Sequence, residues 1–186
     1  MDKKIELINL LKSIRNEKIC DVISLRSIDN NKNLIEKGIS FDNEKTCYHN
    51  YKDMEELITS LTVSANNYGI YYYDEFIGII SVFYQYYKDL TRIEFSISMK
   101  EEYRNKGIGE HCYKLLIDSY FANKNIKSIH LSIREDNIKS RKLAEKCGFK
   151  LYKGYKRDNN FIANDGNKIK QVQYLLKKRD YKKLNK

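Results

Sequence analysis

Hydrophobic spacing divides the chain into a mainly helical first third and a strand-rich remainder. Ile5, Ile8, Leu11 and Ile14 recur at near-helical intervals and predict a helix over residues 3–15. Residues 20–27 read as a short strand, and helices are expected near 31–37 and over 52–65, the latter on Met54, Leu57, Ile58 and Leu61. The texture then turns aromatic and β-branched. Ile70 to Tyr73 and Phe76 to Tyr84 flank the polar pair Asp74-Glu75, which suits a hairpin. Residues 91–99 alternate, with Ile93, Phe95, Ile97 and Met99 on one face and Glu94, Ser96 and Ser98 on the other. Ile108, Cys112, Leu115 and Leu116 mark a helix over 108–121. Alternation returns at 128–134, where Ile129, Leu131 and Ile133 oppose Ser128, His130, Ser132 and Arg134. A helix over 138–146 should end at Gly148, well placed for a left-handed cap. Residues 149–157 and 169–177 read as two more strands around the turn Asn164-Asp165-Gly166.

This order predicts an α/β (α+β) domain: a mixed, mostly antiparallel sheet of about seven strands flanked by helices. The β-α-β stretch from 91 to 134 has room for a right-handed crossover between parallel strands. No Pro/Ser/Gly-rich linker and no internal repeat interrupts the chain, so residues 1–186 are taken as one domain, with the lysines of 178–186 as a loose basic tail.

Composition narrows the class. No apolar run approaches the roughly 20 residues that span a bilayer, and the N-terminus is too polar for a signal peptide. A cytoplasmic protein without membrane contact is therefore expected. The four cysteines, at 20, 47, 112 and 147, form no CxxC pair, and Cys112 and Cys147 fall on apolar helix faces as small hydrophobes. No metal site is expected. The formal charge of +10 is compatible with nucleic acid, the ribosome or an anionic cofactor. The chain is also rich in Lys, Asn, Ile and Tyr and lacks Pro and Trp, so part of the excess is a solvated exterior.

The most specific segment joins strand 91–99 to helix 108–121. Gly107 and Gly109 let backbone approach a ligand closely. Directly after a strand, their N–H groups and those of the first helical turn lack intrahelical partners, and the helix dipole adds to them. That is a pyrophosphate site, with Arg104 and Lys106 as charge at its rim. The segment is neither a Walker A loop nor a dinucleotide fingerprint, since it lacks the glycines both require. Gly-x-Gly alone leaves open the plainer reading of a tight turn beside solvated bases.

Two segments resemble a known family. Glu-Tyr-Arg-Asn-Lys-Gly-Ile-Gly (102–109) is similar to motif A of the GNAT superfamily of N-acetyltransferases, Arg/Gln-x-x-Gly-x-Gly/Ala. Asn-Ile-Lys-Ser-Arg-Lys-Leu-Ala-Glu-Lys-Cys-Gly-Phe (137–149) resembles its second motif, in the version of the branch containing the ribosomal-protein alanine N-acetyltransferases. The likeness covers roughly residues 68–177, and residues 1–50 fit only loosely. One departure is Glu101, where the family often has Pro. The resemblance implies a sheet whose central parallel strands splay to admit acetyl-CoA. It further implies that the backbone of Ile97, Ser98 and Met99 pairs with the pantetheine arm. By the same resemblance, the amides of Asn105, Lys106, Gly107, Ile108, Gly109 and Glu110 should hold the pyrophosphate, and Asn137 should contact the cofactor.

Acetyl transfer to an amine needs a base, a stabilised carbonyl oxygen and a proton for the departing thiolate. The family transfers directly, so no nucleophilic residue is required. Glu94 is the first candidate base, being on the polar face of the strand expected to carry the thioester. The same carboxylate equally suits an ion pair. His130, on the polar face of the next strand, competes with a more suitable unperturbed pKa. Many members place a Tyr seven residues after the motif Asn, but here that position is Ala144. By resemblance Ser140 substitutes as the acid, although Asn137 and Ser140 also read as an ordinary helix start.

The expected function is acetyl-CoA-dependent N-acetylation of a primary amine, first a protein N-terminus of the ribosomal-protein type. A polyamine or antibiotic amine is the alternative, and polyamine selection would call on Glu44, Asp53, Glu55 and Glu56 if helix 52–65 lines the cleft. An inactive, basic RNA- or ribosome-associated module stacking bases on Tyr71, Tyr72, Tyr73, Tyr84, Tyr86 and Tyr87 ranks below both, and no RNA-binding signature supports direct nucleic-acid contact. A monomer or homodimer is expected.

Overall fold

The structure is a computed structural model, and it describes residues 22–29, 31–41, 53–87, 90–153, 160–162 and 168–184. The expected helix 3–15 and turn 164–166 lie outside the described residues. The first elements are β1 (Ile23–Ser27), α1 (Lys32–Ser40) and α2 (Met54–Ser64). Both helices begin at side-chain caps: Asn31 Oδ1 accepts the Leu34 N–H at 3.1 Å, and Asp53 Oδ1 accepts that of Glu56 at 2.9 Å.

Three antiparallel strands follow, β2 (Ala65–Tyr72), β3 (Glu75–Tyr87) and β4 (Leu90–Met99). The expected strand at 70–73 begins at Ala65 instead. Asn66 and Asn67 precede the expected strand, but the Asn67 side chain is fully buried and its partners are inside. Its Nδ2 donates to the Leu61 and Ala65 carbonyls at 2.9 and 3.3 Å, and its Oδ1 accepts from Ser81 Oγ at 2.7 Å. Tertiary partners override the low strand propensity of Asn.

A single 3-10 turn, Glu101–Tyr103, leads into α3 (Ile108–Ala122), β5 (Ser128–Arg134) and α4 (Ile138–Lys146). Gly148, at φ 88°, adopts the left-handed conformation expected of it. Then come β6 (Lys150–Leu151), β7 (Asn160–Ile162), β8 (Lys168–Lys177) and α5 (Lys178–Leu184). Of the strand expected over 149–157, Lys150 and Leu151 pair with β8, and residues 154–157 lie outside the described residues. Of the lysines expected to trail off as a tail, Lys186 lies outside the described residues, and Lys178, Lys182 and Lys183 instead occupy α5. Tyr181 is buried there against Phe121, ring centroids 5.6 Å apart, and Lys178 Nζ donates to the Asn123 carbonyl.

The strands run in the order β1-β2-β3-β4-β5-β8-β6, with β7 paired to the start of β8. Every pairing is antiparallel except β4 with β5. On one face Ile93, Phe95, Leu131 and Tyr174 pack with Ile108, Cys112, Tyr113 and Ile117 of α3. On the other, Ile35 and Ile39 of α1 and Leu57 and Leu61 of α2 pack over Phe76 and Ile79. Burying each such side chain contributes about 1.5–3 kcal/mol, so apolar packing on both faces holds β2 and β3 in place.

The parallel ladder is short. It joins Arg92 to Ser128, Ile93 to Ile129 and Glu94 to His130, and there it ends. Beyond it β4 continues to Met99 paired with β3 alone, while β5 continues to Arg134 paired with β8 alone. The sheet therefore forks in its middle.

Candidate active site

At one end of the fork lies the loop that leads into α3. Asn105 at φ 61° and Gly107 at φ 81° put two left-handed residues within one turn. Gly107 is the N-cap of α3, and its carbonyl accepts the His111 N–H at 3.0 Å. Among the described residues, none of the N–H groups of Asn105 to Glu110 has a hydrogen-bond acceptor. Six N–H groups without acceptors, the last of them at the positive end of a helix dipole, fit an anion. A Cβ at Gly109 would lie 3.4 Å from Leu143 Cδ2 and 3.6 Å from Ile97 Cδ1, so this helical turn lies against α4 and the part of β4 past the ladder.

The charges around the loop are arranged less simply than the sequence suggested. Lys106 Nζ sits 5.8 Å from the centroid of the Tyr103 ring. Glu110 is paired with Lys114 one turn on, at 2.7 Å, and this hydrogen bond raises the lysine pKa. Arg104 turns away from the loop: its Nε donates to the Met99 carbonyl at 2.8 Å and its Nη2 to the Phe41 carbonyl.

At the apex of the fork the two candidate bases stand side by side. Glu94 and His130 form the last rung of the ladder, on the face that α1 and α2 cover elsewhere. Glu94 Oε1 accepts the Ser132 N–H at 2.8 Å, and His130 Nε2 lies 3.0 Å from Ser128 Oγ. Ile97, Ser98 and Met99 lie past the apex, where β4 has no ladder with β5. Ser98 Oγ is buried there without a hydrogen-bond partner among the described residues.

Across the fork, Asn137 Oδ1 accepts the Ser140 N–H at 3.0 Å and so caps α4. Ala144 is fully buried, and the aromatic hydroxyl on this helix comes from β8 instead. Tyr174 OH accepts from Arg141 Nε at 3.2 Å and donates to Glu145 Oε1 at 2.8 Å, with burial raising its pKa. That engagement leaves Ser140 as the hydroxyl at the start of α4. Cys112 and Cys147 are buried, and burial pushes each thiol up to about 12, far from a nucleophilic thiolate. Among the described residues no cluster of His, Cys, Asp and Glu is arranged to hold a metal ion.

The sequence places Ser132 only on the polar face of its strand and gives it no part in the site. Its N–H holds Glu94, while its hydroxyl donates to Gln171 Oε1 at 2.7 Å and accepts from Gln173 Nε2 at 2.8 Å. Gln171 and Gln173 alternate with Val172 and Tyr174 along β8, a period-2 signal that matches the polar face of β5.

A forked parallel pair with a donor-rich helix start at its side is the frame of an N-acetyltransferase. Residues 29–149 match the model of the acetyltransferase (GNAT) family, and the chain belongs to that family. No curated protein sequence matches it. Among solved structures, it resembles mutant forms of the spermidine/spermine N-acetyltransferase SpeG from Vibrio cholerae, with a TM-score of 0.70 and 18% identity over 89% of this chain and 99% of that one. The dodecameric spermidine N-acetyltransferase from Vibrio cholerae in an intermediate state gives 0.69, 19%, 89% and 99%. A probable acetyltransferase gives 0.67, 20%, 87% and 96%. At these identities the structures speak for the fold, a mixed sheet with one parallel pair. Among the described residues, no helix is long and apolar enough to cross a membrane.

Proposed function

We propose that the protein transfers an acetyl group from acetyl-CoA directly to a primary amine of a small, cationic molecule of the polyamine type. The observation that carries this reading is the fork, with a carboxylate at its apex and unpartnered amides along the adjoining helix start. The amides of Asn105 to Glu110 hold the pyrophosphate, the free edge of Ile97 to Met99 receives the pantetheine arm, and Asn137 meets the cofactor from α4. Acetyl-CoA supplies the activated acyl group. Glu94 takes the proton from the incoming ammonium, its carboxylate held in place by the Ser132 N–H. Ser140 is the proton source for the departing thiolate.

Two features favour a small amine over the protein N-terminus suggested by the motif wording. The fold is similar to that of proteins solved as spermidine N-acetyltransferases over nearly their whole length. Asp53, Glu55 and Glu56 are exposed at the start of α2, on the side of the sheet from which Glu94 faces out. Such a row attracts a polycation locally despite the positive net charge.

The test is release of free CoA with spermidine, spermine and an alanine-initiated peptide offered in parallel. Higher kcat/KM for the polyamines supports the assignment. Preference for the peptide would return the acceptor to a protein N-terminus, and no turnover with either would leave the polyamine reading overturned.

A further inference from the structure

The arginine of the phosphate loop is aimed at protein, not toward the loop's own donors. Arg104 Nε donates to the carbonyl of Met99, the last residue of β4, and Nη2 donates to the carbonyl of Phe41, the C-terminal cap of α1. Carbonyls at a helix C-terminus have no intrahelical donors and carry partial negative charge. A planar guanidinium with donors on divergent edges can engage two such oxygens at once.

The surroundings reinforce this junction. The Phe41 ring packs 6.0 Å from that of Phe76, and Lys100 Nζ lies 5.8 Å from the Phe41 centroid. Lys100 also pairs with Glu75, and Tyr103 OH donates to the other Glu75 oxygen at 2.7 Å. The Lys100 hydrogen bond holds the Glu75 carboxyl below its ordinary range, so the acid stays charged. The end of α1, the start of β3 and the 3-10 turn before the loop are thus joined through Arg104 and its neighbours. One residue beyond Arg104 the unpartnered amides begin.

We infer that Arg104 is a positioning residue that couples the cofactor loop to α1, so that anion binding at residues 105–110 tightens α1 against the acceptor face of the sheet. This rests on the reading of that loop as the acetyl-CoA site. The energetic link is reciprocal: whatever acetyl-CoA gains from an ordered junction, α1 gains from bound acetyl-CoA. A direct phosphate contact by the Arg104 side chain would make no such demand on α1.

Calorimetry and hydrogen exchange separate the two roles without any acceptor. Acetyl-CoA is titrated into wild type, Arg104→Gln and, should the glutamine variant fold poorly, Arg104→Lys, which keeps the charge but loses the planar fork. In wild type, bound acetyl-CoA should slow exchange of the α1 amides by about fivefold or more. Either variant should lose most of the α1 response and, by the same reciprocity, bind acetyl-CoA about fivefold more weakly, near 1 kcal/mol. A loss of affinity of about tenfold or more with the α1 response intact would make Arg104 a phosphate ligand and overturn the coupling. Wild-type binding without any α1 response overturns it alone. Absence of wild-type binding removes the cofactor assignment and this inference together.

Discussion

Glu94 Oε1 accepts the backbone N–H of Ser132 at 2.8 Å, so an acid on β4 supplies the partner that the diverging backbone no longer offers to β5. The same carboxylate thus marks where the ladder stops, on the face of the sheet that α1 and α2 cover elsewhere.

Substituting this acid separates its two duties. Glu94→Gln keeps an oxygen for the Ser132 N–H but cannot take a proton, so kcat should fall about 10²–10⁴-fold with acetyl-CoA affinity maintained. Glu94→Ala also leaves a part-buried N–H without its acceptor, adding a destabilisation of about 1–3 kcal/mol. Steady-state kinetics beside thermal melts read both effects, and full activity in Glu94→Gln would remove the base assignment.

Gly107 holds φ 81° at the N-cap of α3. A residue with a Cβ there should cost about 1–2 kcal/mol of backbone strain, a fall in Tm of roughly 2–8 °C for a chain of this size. Gly107→Val should, in addition, abolish calorimetric binding of acetyl-CoA. Unchanged binding in a folded Gly107→Val protein would rule the loop out as the pyrophosphate site.

Asn137 caps α4 through its side-chain oxygen. Asn137→Ala should destabilise by about 1 kcal/mol, whereas Asn137→Ser should retain the cap and most of the stability. Weaker acetyl-CoA binding in both variants is the outcome expected of a cofactor contact. Loss of stability in the alanine variant alone would confine Asn137 to capping.

His111, one turn into α3, has its pKa held below the ordinary 6.5, first by burial and then by Lys114, and its Nε2 is buried without a partner. The unfolded chain therefore binds more protons than the native one as pH falls through 6.5. Stability contributed by the neutral ring is present above that pH and declines below it, with a limiting slope of about 1.4 kcal/mol per pH unit for one proton. Denaturant titrations from pH 7.5 to 5 should show a shallower acid loss in His111→Phe than in wild type. Identical slopes would show that other groups set the acid limit.

Much of the fold was legible because its signals are local. Strand 128–134 and helix 138–146 have the bounds their alternation and cap residues predict, and α3 starts at Ile108 as the glycine turn requires. What escaped depended on partners distant in the chain. Asn67 belongs in a strand only because Leu61, Ala65 and Ser81 meet its amide, and Lys178–Leu184 is helical around Tyr181 docked on Phe121.

The site divides the same way. The unpartnered amides follow from a glycine turn at a helix start, a short-range pattern. Arg104 read as phosphate charge because its neighbours in sequence belong to the loop, but the Phe41 carbonyl it holds lies 63 residues earlier. Glu94 and His130 were competing bases on separate strands, and only the register of a parallel pair makes them neighbours. The rung at which that pairing stops is not written in either strand alone.

An open row of backbone donors and acceptors usually lies along the perimeter of a sheet, where it invites pairing with other chains. In this protein the fork creates such a row in the interior, between β4, held from behind by β3, and β5, held from behind by β8. Another polypeptide would have to bring side chains into a slot already walled on both flanks. A slender, unbranched arm meets no such obstacle. On the proposed reading, hydrogen-bonding capacity between β4 and β5 serves the co-substrate without that edge being presented to another copy of the chain.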